Sequence, residues 1–355
     1  MFDFLLAPFS SELGIDLGTA NTLVYVRGKG ILIREPSVVA VHRKTGAVLA
    51  VGEEARRMVG KVPAHILPIR PLREGVISDF EVTEKMLRFF IRKVHEVPSR
   101  FPRILRSLVV IGIPSGITEV ERRAVRDAAL RAGAREVFLI EEPLAAAIGA
   151  GLPVEEPEGS LIVDIGGGTT EIAVISLGGI VIGKSLRVAG DRMSDAIAAY
   201  AREQHNLLLG EQTAEKIKIA VGNVYPEEAR GRKRQPDCAE QEGALMRGRD
   251  LVSGLPKAVK LTPDAAREAL KPPTAAILSG VRDVIEATPP ELLSDVLERG
   301  LTLVGGGSLL RRMDRLLAEE IGVPVKLVDD PMTCVVRGCG KALEDRELLE
   351  KVKVV

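Results

Sequence analysis

Two stretches of the sequence repeat one pattern, in which an aspartate and a turn of small residues stand between two apolar runs. In the first, Asp16 precedes the turn at residues 18–21; in the second, Asp164 precedes the turn at residues 166–169. An apolar run, a glycine-containing turn and a second apolar run predict a β-hairpin. The chain must therefore accommodate two equivalent hairpins, and we predict a duplicated domain.

The backbone of each turn offers the groups that bind phosphate. Glycine permits positive φ and a close approach to the backbone, and the exposed N–H groups of such a turn, with hydroxyls nearby, can cradle phosphate oxygens. The two aspartates cannot face phosphate without a cation between them, so a bound Mg²⁺ is implied. Either turn alone is an ordinary tight turn in most proteins. The matched pair favours two turns that grip a nucleotide from both sides.

A third glycine turn follows the strand predicted at residues 301–304. Gly305, Gly306, Gly307 and Ser308 stand between this strand and the start of a helix. One interpretation is an ordinary strand-to-helix turn with Ser308 as the helix N-cap. The other is a flat backbone surface that accepts a purine or a phosphate.

Glu142 stands where an apolar strand gives way to a helix. Pro143 suits the first helical position, which puts Glu142 just before the helix. Open α/β sheets bind ligands at the carboxyl ends of their strands, and a carboxylate there could orient or deprotonate a water that attacks a terminal phosphate. The alternative is that Glu142 only caps its helix. Glu141 is the less favoured candidate for the same role.

A glycine-bounded helix is predicted at residues 210–222. Glu211, Glu215 and Lys218 share one of its faces through i, i+4 and i, i+3 spacing. Such a face can offer carboxylates to ribose hydroxyls and a lysine stem to an adenine plane. From the spacing alone, a solvent-exposed face with salt bridges is the favoured interpretation.

Composition limits the class of protein. The 355 residues predict two domains or one bilobed domain, and Lys plus Arg equal Asp plus Glu at 49 each, so the global charge does not indicate nucleic-acid binding. No apolar tract is long enough to span a membrane. Cys238, Cys334 and Cys339 are predicted to be reduced cytosolic thiols. None of the four scattered histidines is expected to be catalytic or to bind a metal.

The first nine residues have an apolar face. Phe2, Leu5, Leu6 and Phe9 would align along one side of a helix, although Pro8 limits how far that helix can continue. The stretch lacks the basic region and cleavage site of a secretory signal. It fits an interfacial membrane anchor or a tail that packs on the body of the protein, and the pattern does not separate the two.

Together these motifs resemble the actin-like ATPase superfamily and, more closely, the MreB family of bacterial actins. The resemblance implies an α/β, actin-like ATPase fold with two duplicated lobes around a nucleotide cleft, each with a large and a small subdomain. It runs from about residue 13 to residue 344 and rests on residues 16–22, 34–39, 70–77, 140–153, 163–171, 213–218, 247–251, 305–308 and 330–334. The implied subdomains are IA (1–36, 76–158 and 330–355), IB (37–75), IIA (159–192 and 259–329) and IIB (193–258).

The resemblance also assigns roles in a cleft that binds ATP and Mg²⁺. Asp16 and Asp164 would hold Mg²⁺, largely through waters, and Glu142 aligns with the residue that positions the attacking water. The remaining assignments are one phosphate turn of Gly18, Thr19, Ala20 and Asn21, a second of Gly166, Gly167, Gly168 and Thr169, and a nucleoside site of Glu211, Glu215, Lys218, Gly305, Gly306, Gly307 and Ser308.

The implied role is a cytoplasmic filament, peripheral at the inner membrane face, that organises cell-wall synthesis and maintains rod shape while slow ATP hydrolysis regulates assembly. The implied partners are further copies in paired protofilaments, the cell-wall elongation machinery and the membrane, with no nucleic acid. Beside the N-terminal apolar face, the candidate lipid contacts are Phe101, Ile104 and Leu105, which alternate with arginines; a loop packed on its own domain is the alternative. The polar segment 225–243 is assigned no function.

Two other classes share such a nucleotide cleft. A small-molecule kinase needs an acceptor pocket with a base aimed at a hydroxyl, and the sequence shows no additional aspartate placed for that purpose. A heat-shock chaperone needs a peptide-binding domain after the ATPase, for which we expect no room before Val355. The filament is therefore the favoured interpretation, with the small-molecule kinase as the alternative.

Overall fold

A computed structural model describes residues 10–96, 105–226 and 243–354. Its strands are β1 Ser10–Leu17, β2 Asn21–Val26, β3 Gly30–Pro36, β4 Val39–His42, β5 Val48–Val51, β6 Ile66–Ile69, β7 Leu72–Arg73, β8 Val76–Ile77, β9 Leu105–Ile113, β10 Glu136–Glu141, β11 Ser160–Ile165, β12 Thr170–Ser176, β13 Gly179–Leu186, β14 Leu207–Leu208, β15 Ala244–Asp250, β16 Pro256–Leu261, β17 Leu301–Val304 and β18 Val325–Leu327.

The helices connect and cover these strands. They are α1 Glu53–Met58, α2 Phe80–Glu96, α3 Glu119–Ala132, α4 Glu142–Ala150, α5 Gly190–His205, α6 Glu211–Val221, α7 Pro263–Ala287, α8 Pro290–Arg299, α9 Met313–Ile321, α10 Cys334–Glu344 and α11 Arg346–Val352. Two short 3₁₀ helices span Gly306–Leu309 and Pro331–Thr333.

Two five-stranded sheets share one topology. The first has the order β10-β9-β1-β2-β3 and the second the order β18-β17-β11-β12-β13. In each sheet the first strand of a hairpin (β1 or β11) pairs antiparallel with the second (β2 or β12). On its other side the same strand pairs in parallel with a later strand, β9 or β17. Asp16 and Asp164 lie near the ends of the two equivalent strands β1 and β11. The predicted pair of hairpins and the duplicated α/β architecture are confirmed.

Helices α4 and α10 pack against each other, and their buried faces form one apolar cluster with residues of both large sheets. Their contact is close because each helix has a glycine at the crossing. A Cβ atom on Gly149 would overlap the carbonyl oxygen of Cys334, and one on Gly338 would overlap the carbonyl oxygen of Ala145. The close helix crossing at the centre of this apolar cluster therefore depends on two glycines that admit no side chain.

We expect Gly338→Ala to destabilise the protein by about 1–3 kcal/mol, because an added methyl group in a closely packed core forces the backbone apart. Thermal unfolding with and without the substitution measures this. Gly179→Ala is the matched control, since its added Cβ would lie 4.0 Å from the carbonyl oxygen of Ser176, which is an ordinary contact distance. Equal melting temperatures for the two variants would contradict the close-packed crossing.

Each lobe also carries a small sheet. In the first lobe, the β5-β4-β6 sheet and α1 enclose a separate cluster of Val38, Ala40, Ala50 and Ala55. In the second lobe, the small sheet has the order β14-β15-β16. These positions fit the inserted subdomains that the sequence predicts, while the exact residue limits of the four subdomains stay a prediction.

Local sequence signals account well for individual elements. The predicted capping box is present, because the Thr118 side chain accepts a hydrogen bond from the Glu121 backbone N–H while the Glu121 carboxylate accepts from that of Thr118. Strand β9 ends directly before Pro114. Helix α4 begins at Glu142 itself, so the expectation that Glu142 precedes the helix is wrong by one residue, and no side-chain cap is formed there.

The interpretation of Ser308 as a helix N-cap is wrong. Ser308 lies inside the 3₁₀ helix, and its hydroxyl donates a hydrogen bond to the carbonyl oxygen of Gly305 at 2.5 Å. Helix α9 begins only at Met313, after Arg312 in the left-handed region (φ 64°). The serine therefore stabilises the third glycine turn rather than the helix that follows it.

Several predictions concern residues outside the described ranges. These are the lipid contacts Phe2, Leu5, Leu6, Phe9, Phe101 and Ile104, and most of the segment 225–243. Leu105 is the first residue of β9. Among the residues that the structure describes, no helix is both long and apolar enough to cross a bilayer. Cys334 and Cys339 are buried free thiols, as predicted.

Candidate functional site

A cavity of about 490 Å³ lies between the lobes and brings together most of the residues selected from the sequence. All three glycine turns contribute to its wall. The predicted residues that line it are Asp16, Gly18, Thr19, Ala20, Asn21, Glu142, Asp164, Gly166, Gly167, Gly168, Thr169, Glu215, Lys218, Gly305, Gly306 and Gly307.

The first two turns meet across the cleft with no space for side chains. A Cβ atom on Gly167 would lie 2.6 Å from the Cβ of Ala20, and one on Gly168 would overlap the hydroxyl of Thr19. The Thr19 hydroxyl also accepts a hydrogen bond from the backbone N–H of Gly75 at 3.0 Å. Glycine at 167 and 168 is required because the opposite lobe occupies the space that a side chain would need.

The third turn is fitted against the second lobe's aspartate. Gly305 has φ 85°, a conformation that favours glycine. A Cβ atom at this position would overlap both a carboxylate oxygen of Asp164 and the carbonyl oxygen of Ile165. The absence of a side chain thus lets the third turn pack directly on the strand that carries Asp164.

Four carboxylates surround the inner part of the cavity: Asp16, Glu142, Asp164 and Glu171. Burial raises the pKa of Asp16 to about 7. Burial, and then the charges of Asp16 and Glu171, raise the pKa of Asp164 to about 8. The pKa of Glu142 is raised well above its usual value by burial and then by the other three acids. Grouped carboxylates that disfavour one another's charge are stabilised in the ionised form by a cation.

The donor set fits a hydrated divalent cation rather than one held by several side chains directly. Carboxylate oxygens are suitable ligands for Mg²⁺, which retains several waters in most protein sites. Within the described ranges, no three Asp, Glu, His or Cys side chains converge closely enough to bind one ion together. This geometry is compatible with the expectation that Asp16 and Asp164 act largely through waters.

One side of the cavity presents apolar side chains that remain exposed. Ile219 on α6 is 68% exposed, Leu309 50% and Met332 45%, and all three line the cavity. Beside them, the Lys218 ammonium donates a hydrogen bond to the carbonyl oxygen of Gly190 at 2.7 Å. Apolar side chains next to the flat third turn form a slot that suits a planar ring. The sequence analysis missed these residues, although Ile219 interrupts the polar face of α6 and was a usable signal.

Two predicted residues do not line the cavity. Glu211 lies at its mouth, where its carboxylate forms an ion pair with the Arg70 guanidinium at 2.6 Å. Ser308 belongs to the third turn, but its side chain is buried and does not line the cavity. Glu211 thus behaves as the salt-bridged alternative predicts. Glu215 and Lys218, on the same face of α6, line the cavity instead. A nucleoside contact by Glu211 or Ser308 stays a prediction.

Polar contacts join the lobes at the cavity mouth. Arg70 lies 3.5 Å from the carboxylate of Asp191 and also pairs with Glu211, so one guanidinium contacts two acids of the opposite lobe. Nearby, Arg192 forms an ion pair with Glu74 at 2.8 Å. These contacts form only when the lobes are close, and sequence reasoning did not identify them because each joins residues more than 100 positions apart.

The shared topology of the lobes and the three turns between them define an actin-like fold. The MreB5 protein of Spiroplasma citri, in a structure with ADP bound, superposes with a TM-score of 0.86 at 36% identity, covering 97% of this chain and 98% of that one. The MamK double helical filament structure gives a TM-score of 0.76 at 22% identity, covering 95% of this chain and 99% of that chain, and supports the fold alone.

Sequence comparison specifies the family. The MreB/Mbl protein family model matches residues 10–351. The cell shape-determining protein MreB of Escherichia coli (strain K12) is 52% identical over 340 residues, 95% of this chain and 94% of that protein. The cell shape-determining protein Mbl of Bacillus subtilis (strain 168) is 48% identical over 348 residues, 98% of this chain and 99% of that one. The chain belongs to the MreB/Mbl family.

Proposed function

We propose that this protein binds ATP with Mg²⁺ between its lobes and that the bound nucleotide controls assembly of a cytoskeletal filament. The filament lies at the inner face of the cytoplasmic membrane, where it organises cell-wall synthesis and maintains rod shape. The observation that carries the proposal is the pair of glycine turns that meet across a cavity whose wall includes the cluster of Asp16, Glu142, Asp164 and Glu171. Solved relatives hold ADP or the ATP analogue AMPPNP.

The nucleotide would contact both lobes. Backbone N–H groups of the turns at 18–21 and 166–169 would bind phosphate oxygens, and hydrogen bonds to charged groups contribute about 1.5–3 kcal/mol each. The base would occupy the slot beside Ile219 and Met332, with Glu215 and Lys218 near the sugar. A bound Mg²⁺ would offset the charge of the phosphates against Asp16 and Asp164. Because the two halves of the site lie on different lobes, ATP would favour the closed arrangement.

Glu142 would orient the attacking water. It stands in the first turn of α4, on the first lobe, and lines the cavity opposite the second lobe's glycine turn. Its ionised carboxylate would accept a hydrogen bond from the water and orient it toward the terminal phosphate. Burial and the neighbouring acids raise the pKa of Glu142, and a bound Mg²⁺ would stabilise the ionised form that this role requires.

Assembly is supported by an apolar patch on the second lobe. Around the turn between β15 and β16, Leu251 is 42% exposed, Val252 83% and Leu255 64%. Leu208, 41% exposed, belongs to β14 beside the same turn. Exposed apolar groups that cluster rather than scatter indicate a contact surface. A contact between further copies of this chain would cover them in a filament.

Membrane attachment is supported by where two segments join the fold. The first strand begins at Ser10 and the ninth at Leu105, and these two residues are register partners at the starts of two adjacent interior strands of the first large sheet. The apolar N-terminal stretch and the segment 97–104 therefore connect to the body at neighbouring points. Together they would supply apolar and basic side chains to one anionic surface.

Vesicle flotation tests the membrane part of the proposal. The full chain should float with anionic vesicles and remain mostly unbound with neutral ones. A Phe2→Ser, Leu6→Ser variant should lose at least half of its binding, whereas Leu130→Ser, which changes an exposed leucine on α3, should not. Equal flotation of all three proteins, or equal binding to both kinds of vesicle, would contradict this attachment.

We expect Arg70→Ala to shift the protein toward the open cleft. Arg70 forms two partly exposed ion pairs with the opposite lobe, each worth up to about 1 kcal/mol, so the critical concentration for ATP-dependent assembly should rise about fivefold or more. Pelleting over a range of protein concentrations measures it. The control is Arg57→Ala, whose guanidinium forms a local ion pair with Glu53 in the same helix. An unchanged critical concentration in Arg70→Ala would show that the mouth contacts do not favour assembly.

A further inference from the structure

Glu171 is the one charged residue of a fully buried strand, Thr170–Ser176. It lies on β12, directly opposite Asp164 in the hairpin register, and is 1% exposed. Nevertheless its side chain reaches the wall of the cavity. A buried carboxylate is costly unless hydrogen bonds compensate for the lost hydration, so its surroundings indicate what the residue does.

Both carboxylate oxygens of Glu171 are hydrogen-bonded, and the donors come from different lobes. One oxygen accepts from the Ser115 hydroxyl at 2.6 Å and from the Ser115 backbone N–H at 3.2 Å. The other accepts from the Ser185 hydroxyl at 2.6 Å. Ser115 follows β9 of the first lobe, whereas Ser185 belongs to β13, in the same sheet as Glu171. The carboxylate therefore bridges the lobes at the inner end of the cleft.

The backbone is shaped for this approach. Gly116, next to Ser115, has no side chain, and a Cβ atom there would lie 2.9 Å from the Cβ of Ser185. The first-lobe turn thus comes into direct contact with β13 at this point. This inner contact is separate from the Arg70 and Arg192 ion pairs at the mouth.

The bridge connects the two parts of the site that hydrolysis must align. On the first lobe, Ser115 lies three residues after Gly112, where an added Cβ would be 3.5 Å from the Cγ of Glu142. On the second lobe, Glu171 lies two residues after Thr169 of the phosphate turn. The hydrogen bonds between Ser115 and Glu171 therefore join the end of the strand that lies beside Glu142 to the strand that follows the phosphate turn.

We propose that Glu171 is a positioning residue for ATP hydrolysis, which acts through its hydrogen bonds to Ser115 by holding Glu142 in register with the Gly166–Thr169 turn. The proposal rests on the function proposed above. In the closed cleft all three donors satisfy the carboxylate. When the lobes separate, Ser115 withdraws, and the alignment required for in-line attack is lost while each lobe keeps its own nucleotide contacts. Displacements of about 1 Å at a reacting centre can reduce rates about a hundredfold.

The test compares two serine variants of the full-length protein, because each removes one hydroxyl from the same carboxylate. Ser115→Ala removes the shorter of the two hydrogen bonds between lobes and leaves the bond from the Ser115 backbone N–H. Ser185→Ala removes the hydroxyl contact within the second lobe. We expect Ser115→Ala to lower kcat for ATP hydrolysis about tenfold while the Kd for ATP–Mg²⁺ changes less than twofold. Ser185→Ala should lower kcat no more than about twofold. Ser115→Thr, which restores the hydroxyl, should recover most of the rate.

The other possible results for the serine variants each contradict one part of the proposal. Equal losses of kcat in both alanine variants, or no recovery in Ser115→Thr, would show that Glu171 needs its hydrogen bonds only for local structure. A weaker Kd with unchanged kcat in Ser115→Ala would make the bridge a binding element. Normal hydrolysis in Ser115→Ala would refute the positioning role and leave the proposed ATPase intact, whereas a wild-type protein that binds no ATP would refute the proposed function itself.

Discussion

Replacement of Glu142 by glutamine should slow ATP hydrolysis by a factor of about 10²–10⁴, the usual contribution of a positioned general base. The substitution keeps the shape of the side chain but removes the charge that orients the water. Because Glu142 lines the cavity without belonging to a phosphate turn, the Kd for ATP–Mg²⁺ should remain within about threefold of the wild-type value. Single-turnover release of phosphate, together with equilibrium binding, separates the two quantities.

The neighbouring residue provides the control. Glu141 is also acidic and also has a pKa raised by burial, but it is the last residue of β10 and does not line the cavity. Glu141→Gln should hydrolyse ATP at nearly the wild-type rate. If Glu141→Gln were the slow variant, Glu141 and not Glu142 would orient the water. If Glu142→Gln lost ATP binding, the role of Glu142 would be structural.

Replacement of Asp16 by alanine should abolish the part of ATP binding that depends on magnesium. In the wild-type protein, removal of Mg²⁺ leaves phosphate charges facing Asp16 and Asp164, so we expect the Kd for ATP to rise at least about tenfold, since two unit charges about 4 Å apart interact by several kcal/mol near a protein surface. The Asp16→Ala substitution removes a carboxylate that repels the phosphates without Mg²⁺ and that helps to hold Mg²⁺ when it is present. The affinities with Mg²⁺ and with a chelator should therefore converge.

Isothermal titration with ATP, in Mg²⁺ and in chelator, measures both affinities for each protein. Asp191→Asn is an informative control, because Asp191 also lines the cavity but lies beside Arg70 rather than among the four carboxylates. It should retain the magnesium dependence of the wild type. An Asp16→Ala protein whose affinity still improves strongly with Mg²⁺ would show that the cation is held elsewhere.

The sequence predicts the elements of this fold because the signals are local. An aspartate, a glycine turn and flanking apolar runs are enough to define each hairpin, and the Thr118–Glu121 capping box marks the start of α3. The duplication was visible for the same reason, since both hairpins keep the aspartate at the same place. Ser308 shows the limit of such reasoning. A serine at this position can cap a helix or donate a hydrogen bond within a turn. Only the path of the chain after Leu310 shows which of the two roles Ser308 has.

The cleft itself was predicted in part. Periodicity places Glu211, Glu215 and Lys218 on one face of α6, but it cannot show that the first of them pairs with Arg70 outside the cavity. The sequence around Glu171 does not predict a role for this residue, because the proposed role depends on its hydrogen bonds to Ser115, 56 positions earlier in the chain. Contacts between lobes are invisible to local patterns, and they are the contacts on which closure depends.

If nucleotide in the cleft controls assembly, the protein concentration at which filaments form depends on which nucleotide is bound. The most direct test is the critical concentration for pelleting of the full chain with ATP–Mg²⁺, with ADP–Mg²⁺ and without nucleotide, each with negative-stain imaging of the pellet. We predict filaments at the lowest protein concentration with ATP–Mg²⁺ and a clearly higher critical concentration in the other two conditions. Identical critical concentrations in all three, or a protein that stays soluble with ATP–Mg²⁺ at every concentration, would contradict the account.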